Sequence, residues 1–180
     1  MGSFREDDNL MKNPINAFWG HFFPKKEDAE KHDKLHVLAQ VPLFDKMTKK
    51  ELRRIADIIY DRTYSEGEYI FEKSQPGAAM FIIKTGSVKI VAPDTRGNEV
   101  VLATLGEDTF FGELDLLDDS PRSASARAEV KTEALAFFRS DLIKLLDEDP
   151  DIASNIFKAL AYIIGQRLKA TNEQLYGKEG

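Results

Sequence analysis

The chain contains no cysteine. That excludes disulfides, thiolate-held metals and a cysteine nucleophile. Histidine is nearly as scarce, with three residues, His21, His32 and His36, all near the start. His32 and His36 have the i, i+4 spacing that can grip a metal on one helix face. No motif supplies a third ligand, so exposed helix histidines and no metal are the expectation. No apolar run approaches the roughly 18 residues of a membrane span. The opening MGSFREDDNL is too acidic for a secretory signal and lacks the Ser/Thr of a myristoylation motif. Met11 serves as well as Met1 for a natural start, and the cytoplasm is the expected compartment. A surplus of positive charge is missing too: 25 Lys+Arg face 31 Asp+Glu, a formal net charge of −6. A large nucleic-acid footprint needs a basic face, so DNA is not an expected partner.

What is present suits one globular domain with appended segments: 180 residues, 42% hydrophobic and 31% charged. Asn13-Pro14 followed by Ile15, Phe18, Trp19, Phe22 and Phe23 marks a short aromatic amphipathic helix that Pro24 ends. Residues 1–30 are read as an N-terminal extension. Its stripe Ile15–Phe23 either packs on its own domain or, flanked by Lys12, Lys25 and Lys26, docks on a partner protein or a membrane surface. Residues 31–176 are read as the main domain, opening with helices over 31–62. There Thr48-Lys-Lys-Glu51 is a capping box ahead of Leu52, Ile55, Ile58 and Ile59.

From Thr63 the hydrophobic period changes. Short β-rich runs occupy Tyr69–Phe71, Met80–Ile83, Ser87–Val91, Val100–Leu105 and Ala126–Phe138. Glu66-Gly67, Pro76-Gly77, Thr85-Gly86 and Arg96-Gly97 punctuate them, a spacing that indicates a small roll or double sheet over 63–139. Helical spacing returns over 140–176. The expected fold class is α+β: an antiparallel, jelly-roll-like β-roll flanked by N-terminal and C-terminal helices.

Residues 110–128, FFGELDLLDDSPRSASARA, concentrate the chemistry. Gly112 lets backbone approach a ligand with no Cβ in the way. An ionised Glu113 can accept hydrogen bonds from a ribose hydroxyl. Leu114–Leu117 reads as one helical turn whose free N–H groups can face an anion. Arg122 offers a planar fork matched to two phosphate oxygens, and Ser123 and Ala124 add small side chains and N–H donors. Spacing alone favours a surface loop with a Glu–Arg ion pair.

FGELDLL, the spacer DDS and PRSA, in that order, resemble the phosphate-binding cassette of the cyclic nucleotide-binding domain family. The resemblance runs from about Leu35 to Asn172 and includes Gly67, Gly77, Gly86 and the stretch GAAMFIIKTGSVKI. It implies that Glu113 holds the ribose 2′-hydroxyl and that Arg122 neutralises the cyclic phosphate. Phe111, Gly112, Leu114, Asp115, Ser123 and Ala124 would line the pocket. Asp115 stands where the family has a small residue. An inward carboxylate about 5 Å from the phosphate would cost about 3 kcal/mol at an effective dielectric near 20, so its side chain is expected to turn outward. Asp108 replaces a common turn glycine, and Asp tolerates left-handed backbone. The stretch Arg-Leu-Lys-Ala-Thr-Asn-Glu resembles the last helix of the bacterial catabolite-activator group. By that likeness Thr171 and Asn172 meet the purine; as bare residues they equally describe a frayed polar helix end.

The expected function is a stand-alone sensor or regulatory protein for a cyclic nucleotide. Cyclic AMP is the leading ligand and cyclic GMP the second, the message passing to an unknown protein effector through the C-terminal helices around Leu142–Leu146. Only Gly177–Gly180 follow Tyr176, so a DNA-binding domain is not expected. The stripe Phe157, Leu160, Ile164, Leu168 and Thr171 suits packing on the roll or a homodimer through the C-terminal helix. No enzyme activity is expected: a cupin-type catalyst needs metal ligands on its strands, and the strand region has no histidine. The alternative is a degenerate member that binds no nucleotide and serves as an interaction subunit.

Overall fold

Thr48 starts the first well-capped helix as its sequence directs. Its hydroxyl accepts from the Glu51 N–H at 3.3 Å, and the Glu51 carboxylate accepts from the Thr48 N–H at 2.7 Å. Both hydrogen bonds satisfy donors that a helix N-terminus leaves over. Thr48→Ala is expected to lower stability by about 1 kcal/mol, read as a shifted urea midpoint with unchanged m-value.

The structure, a computed structural model, describes residues 26–176. The expected helix Ile15–Phe23 therefore lies outside the described residues. Helix α1 (Lys26–Gln40), a 3-10 turn (Pro42–Phe44) and helix α2 (Lys49–Ala56) precede eight strands. These are β1 (Tyr60–Tyr64), β2 (Tyr69–Phe71), β3 (Ala79–Thr85), β4 (Val88–Pro93), β5 (Glu99–Leu105), β6 (Phe110–Phe111), β7 (Ser125–Ala128) and β8 (Thr132–Phe138). Helices α3 (Arg139–Glu148) and α4 (Pro150–Tyr176) follow. The strands form two four-stranded sheets, β1-β8-β3-β6 and β2-β7-β4-β5, with every pairing antiparallel. This is the α+β roll with helices at both ends that the sequence indicates.

Two boundaries differ from the sequence reading. Helix α2 stops at Ala56 and β1 begins at Tyr60, where helix was expected through residue 62. Ile59 is buried at the crossing between them, and β1 is held by antiparallel pairing of Tyr60–Tyr64 with Thr132–Ala136. Tertiary pairing overrides the helical spacing of Ile58 and Ile59. The expected run Ala126–Phe138 is two strands parted by a turn, with the buried Thr132 hydroxyl donating to the carbonyls of Ser87 and Val130.

Strand β3 is buried on both faces. Met80 and Ile82 join the larger core, which packs α1 to α4 against the first sheet with Leu135, Phe137, Leu142, Leu145 and Ile156. Ala79, Phe81 and Ile83 point the other way, into the roll, with Val88, Phe111, Ala126 and Ala136. The period of two along the strand delivers alternate residues to the two cores.

Charged contacts fasten α1 to the roll. Lys34 pairs with Asp61 at 3.0 Å, and Lys84 bridges Asp33 at 2.6 Å and Asp61 at 3.1 Å. Burial would raise the Asp61 carboxyl, but the two lysines outweigh it and hold it below its usual range.

Candidate functional site

Gly112 turns the chain out of β6 with φ +73°, a left-handed backbone that glycine adopts without penalty. The next four residues, Glu113–Leu116, form a 3-10 turn, the short helix the sequence indicates. The segment carrying Arg122 is clamped to the loop before β3. The Arg122 N–H donates to the Gln75 carbonyl at 2.9 Å, its carbonyl accepts from the Ser74 N–H at 2.8 Å, and Pro76 bridges Pro121. Left-handed backbone at Asp108, φ +59°, fits the tolerance expected of aspartate there.

Among the described residues three charged side chains are buried: Glu113, Asp115 and Arg122, at 7%, 6% and 7% exposure. All three line one cavity of about 430 Å³ inside the roll. Phe111, Gly112, Leu114, Ser123 and Ala124 line it too, so the cassette residues singled out from the sequence are brought together. A slightly larger cavity, about 500 Å³, lies between the first 3-10 turn and α4, lined by Leu43, Met47, Lys158, Tyr162 and neighbours. It contains none of the buried charges.

The Arg122 guanidinium lies 3.6 Å over the Phe71 ring, a cation–π contact, and its Nη2 donates to the Ala79 carbonyl at 2.7 Å. Its Nη1 is paired with the Asp115 carboxylate. The expectation that Asp115 turns outward is therefore corrected: the carboxylate is buried and faces the guanidinium. A buried guanidinium without an anion would be costly, and Asp115 is the nearest carboxylate to compensate it. Gly77 leaves the room, since a methyl built there would overlap the Asp115 carboxylate. Burial, the largest influence on each, pushes the Asp115 carboxyl up and the Arg122 guanidinium down despite their mutual attraction. The Arg122 Nε is buried and has no hydrogen-bond partner among the described residues.

Glu113, on the same 3-10 turn as Asp115, accepts from Arg167 Nη1 at 2.5 Å, and the Arg167 guanidinium sits 5.1 Å over the Phe110 ring. Arg167 comes from α4 and is a charged site residue that sequence reasoning missed. It lies one helical turn before Thr171, and the Thr171 hydroxyl donates to the Arg167 carbonyl at 2.9 Å. Thr171 and Asn172, read from the sequence as purine contacts, are exposed and are not among the residues lining the cavity. Thr171 follows Arg167 by one turn on the same side of α4 and lies past the residues that line the cavity. Phe71, Ile90, Ala103 and Leu105 also line the cavity without having been singled out. Their inward alternation on β2, β4 and β5 was the available signal. Among the described residues no group of three or more His, Cys, Asp or Glu is placed to hold a metal. No described helix is long and apolar enough to cross a membrane.

The cyclic nucleotide-binding domain family model matches residues 61–149, which span the roll, the cassette and α3. This chain belongs to the cyclic nucleotide-binding domain family. It is similar to the cyclic AMP receptor protein of Thermus thermophilus, 35% identical over 134 residues, covering 74% of this chain and 60% of that protein. A solved catabolite activator protein from Thermus thermophilus superposes with a TM-score of 0.68 at 34% identity, covering 74% of this chain and 61% of that one. A cyclic nucleotide-binding domain from Methylobacillus flagellatus shares the fold at a TM-score of 0.72 and 21% identity, covering 83% and 84%. The chain spans about 60% of the length of the first of these relatives.

Proposed function

We propose that this protein is a cyclic nucleotide sensor whose ligand, cyclic AMP in the first instance, occupies the cassette cavity. The observation that carries the reading is the convergence of Glu113 and Arg122 on one cavity in the roll, where apolar walls can enclose a base. Arg122 takes the cyclic phosphate through its fork, with Nε free to donate. Glu113 accepts from the ribose 2′-hydroxyl, and Gly112, Leu114, Ser123 and Ala124 approach the ligand closely.

The output runs through α4. Glu113 is shared between a ribose and Arg167, so ligand entry changes the contact by which α4 covers the cavity. The helix responds only as far as the ligand binds the two arrangements differently. Beyond Tyr162 the helix is largely exposed, with Leu168 61% exposed, which leaves a face for an effector or for a second copy of the chain.

Calorimetric titration with cyclic AMP, cyclic GMP and adenosine 5′-monophosphate tests the proposal, on wild type and on the double variant Arg122→Ala/Asp115→Ala. The double variant removes both charges and so orphans neither. Saturable heat with a cyclic nucleotide, weakened about a hundredfold in the double variant, is the expected result. Silence of the wild type toward all three ligands would favour the interaction-subunit alternative instead.

A further inference from the structure

The Arg122–Asp115 pair raises a problem that the sensor reading alone does not solve. A cyclic phosphodiester brings a negative charge to a guanidinium that already has a buried carboxylate as its partner. Two anions against one cation in a low-dielectric pocket repel each other, and one of them has to lose its charge or leave. Leaving is obstructed. The carboxylate fills the space above Gly77, and the 3-10 turn that carries it is tied to α3 by Arg139, whose guanidinium donates to the carbonyls of Asp115 and Asp118 and pairs with Asp119. Accepting a proton requires no such movement. A neutral carboxyl can also donate its O–H to a phosphate oxygen, turning a repulsive contact into a hydrogen bond.

We infer that cyclic nucleotide binding at this cavity carries one proton with it, held by Asp115, so that Asp115 makes the sensor respond jointly to ligand and to pH. The inference rests on the reading of the cavity as a cyclic nucleotide site. The charged groups around Asp115 support the assignment. Arg122 lies beside it, Arg139 reaches its turn from α3, and Asp118 follows on the same segment. On the same turn Glu113 is already engaged by Arg167. Among the described residues no histidine lines the cavity, so none of them offers an imidazole as a competing proton carrier there. Burial already raises the Asp115 carboxyl in the structure. An adjacent phosphate raises it further, because a like charge disfavours the ionised form. The sign follows from that order. A group whose pKa rises on binding makes binding tighter as pH falls through the value in the complex, and the gain saturates below the value in the free protein.

The test is a titration with cyclic AMP at a series of pH values from about 5 to about 8, in paired buffers of different ionisation enthalpy, on wild type, Asp115→Asn and Asp115→Ala. Asparagine is the isostere of the protonated acid, and alanine guards against any defect particular to the amide. The wild type is expected to bind about tenfold tighter at the acid end of the series, with net proton uptake approaching one. Both variants are expected to bind as tightly as the acid-end wild type, with little pH dependence and no uptake. Equal, pH-independent affinity in wild type and both variants would overturn the proton assignment and leave the sensor reading standing. No binding by wild type or by either variant at any pH would overturn the sensor reading, and this inference with it.

Discussion

Arg122→Ala is expected to lower the stability of the protein by about 3 kcal/mol, before any ligand is considered. The substitution strands Asp115, which is 6% exposed and has Arg122 as its counter-ion. Removing one member of a buried pair leaves an uncompensated charge, and such losses run to about 3–5 kcal/mol. The lower end applies here because the pair sits at a cavity wall rather than deep in packed core. The cation–π contact with Phe71 and the hydrogen bond to Ala79 are lost as well. The double variant Arg122→Ala/Asp115→Ala is expected to recover most of the loss, since replacing a whole buried pair by apolar groups is close to neutral. Urea unfolding of wild type, Arg122→Ala, Asp115→Ala and the double variant reads the coupling directly. A single variant as stable as wild type would show that Asp115 is not held as an ion against Arg122.

Gly112→Ala is expected to damage binding and stability together. Left-handed backbone in a residue with a Cβ costs about 1–2 kcal/mol. In addition the new methyl would stand 2.5 Å from Nη1 of the Arg122 guanidinium itself and 3.2 Å from the Ala79 carbonyl that accepts from it. Gly97 makes a control, because its φ is +86° and a methyl there meets nothing within 4 Å. Both variants should show the backbone cost in urea unfolding. Only Gly112→Ala should also weaken cyclic AMP binding, by more than about tenfold, as the fork is pushed off its position. Matching losses of affinity in the two would mean that the methyl at 112 does not disturb Arg122.

The sequence was most legible where one residue type has one structural use. Thr48 with Glu51 announced a helix start, the turn glycines announced the strand breaks, and the Gly112-to-Ala124 stretch announced a cavity wall. It was least legible where tertiary partners decide. Ile58 and Ile59 keep helical spacing, yet pairing with β8 draws the following residues into β1. Asp115 reads as an outward residue because an inward carboxylate would repel the phosphate expected there; the Arg122 charge that holds it inward lies seven positions along the chain. Arg167 reads as another exposed cation on a long helix, and nothing local shows that α4 passes over the cassette. In both cases the missing knowledge was which cation meets which carboxylate across the fold.

Strand β3 has no solvent side. Its Ala79 carbonyl takes the Arg122 hydrogen bond and its Phe81 ring lies 5.6 Å from Phe111 in the roll, while Met80 and Ile82 support the helices from behind. It is a partition shared by two rooms. A pull on the Ala79 carbonyl cannot be absorbed by water on the far side, because closely packed side chains wait there and interiors of that density pass displacement on. The hold of Arg122 is thus separated from the side chains of α1, α3 and α4 by the thickness of one strand, and from α4 at the rim by the Arg167–Glu113 contact.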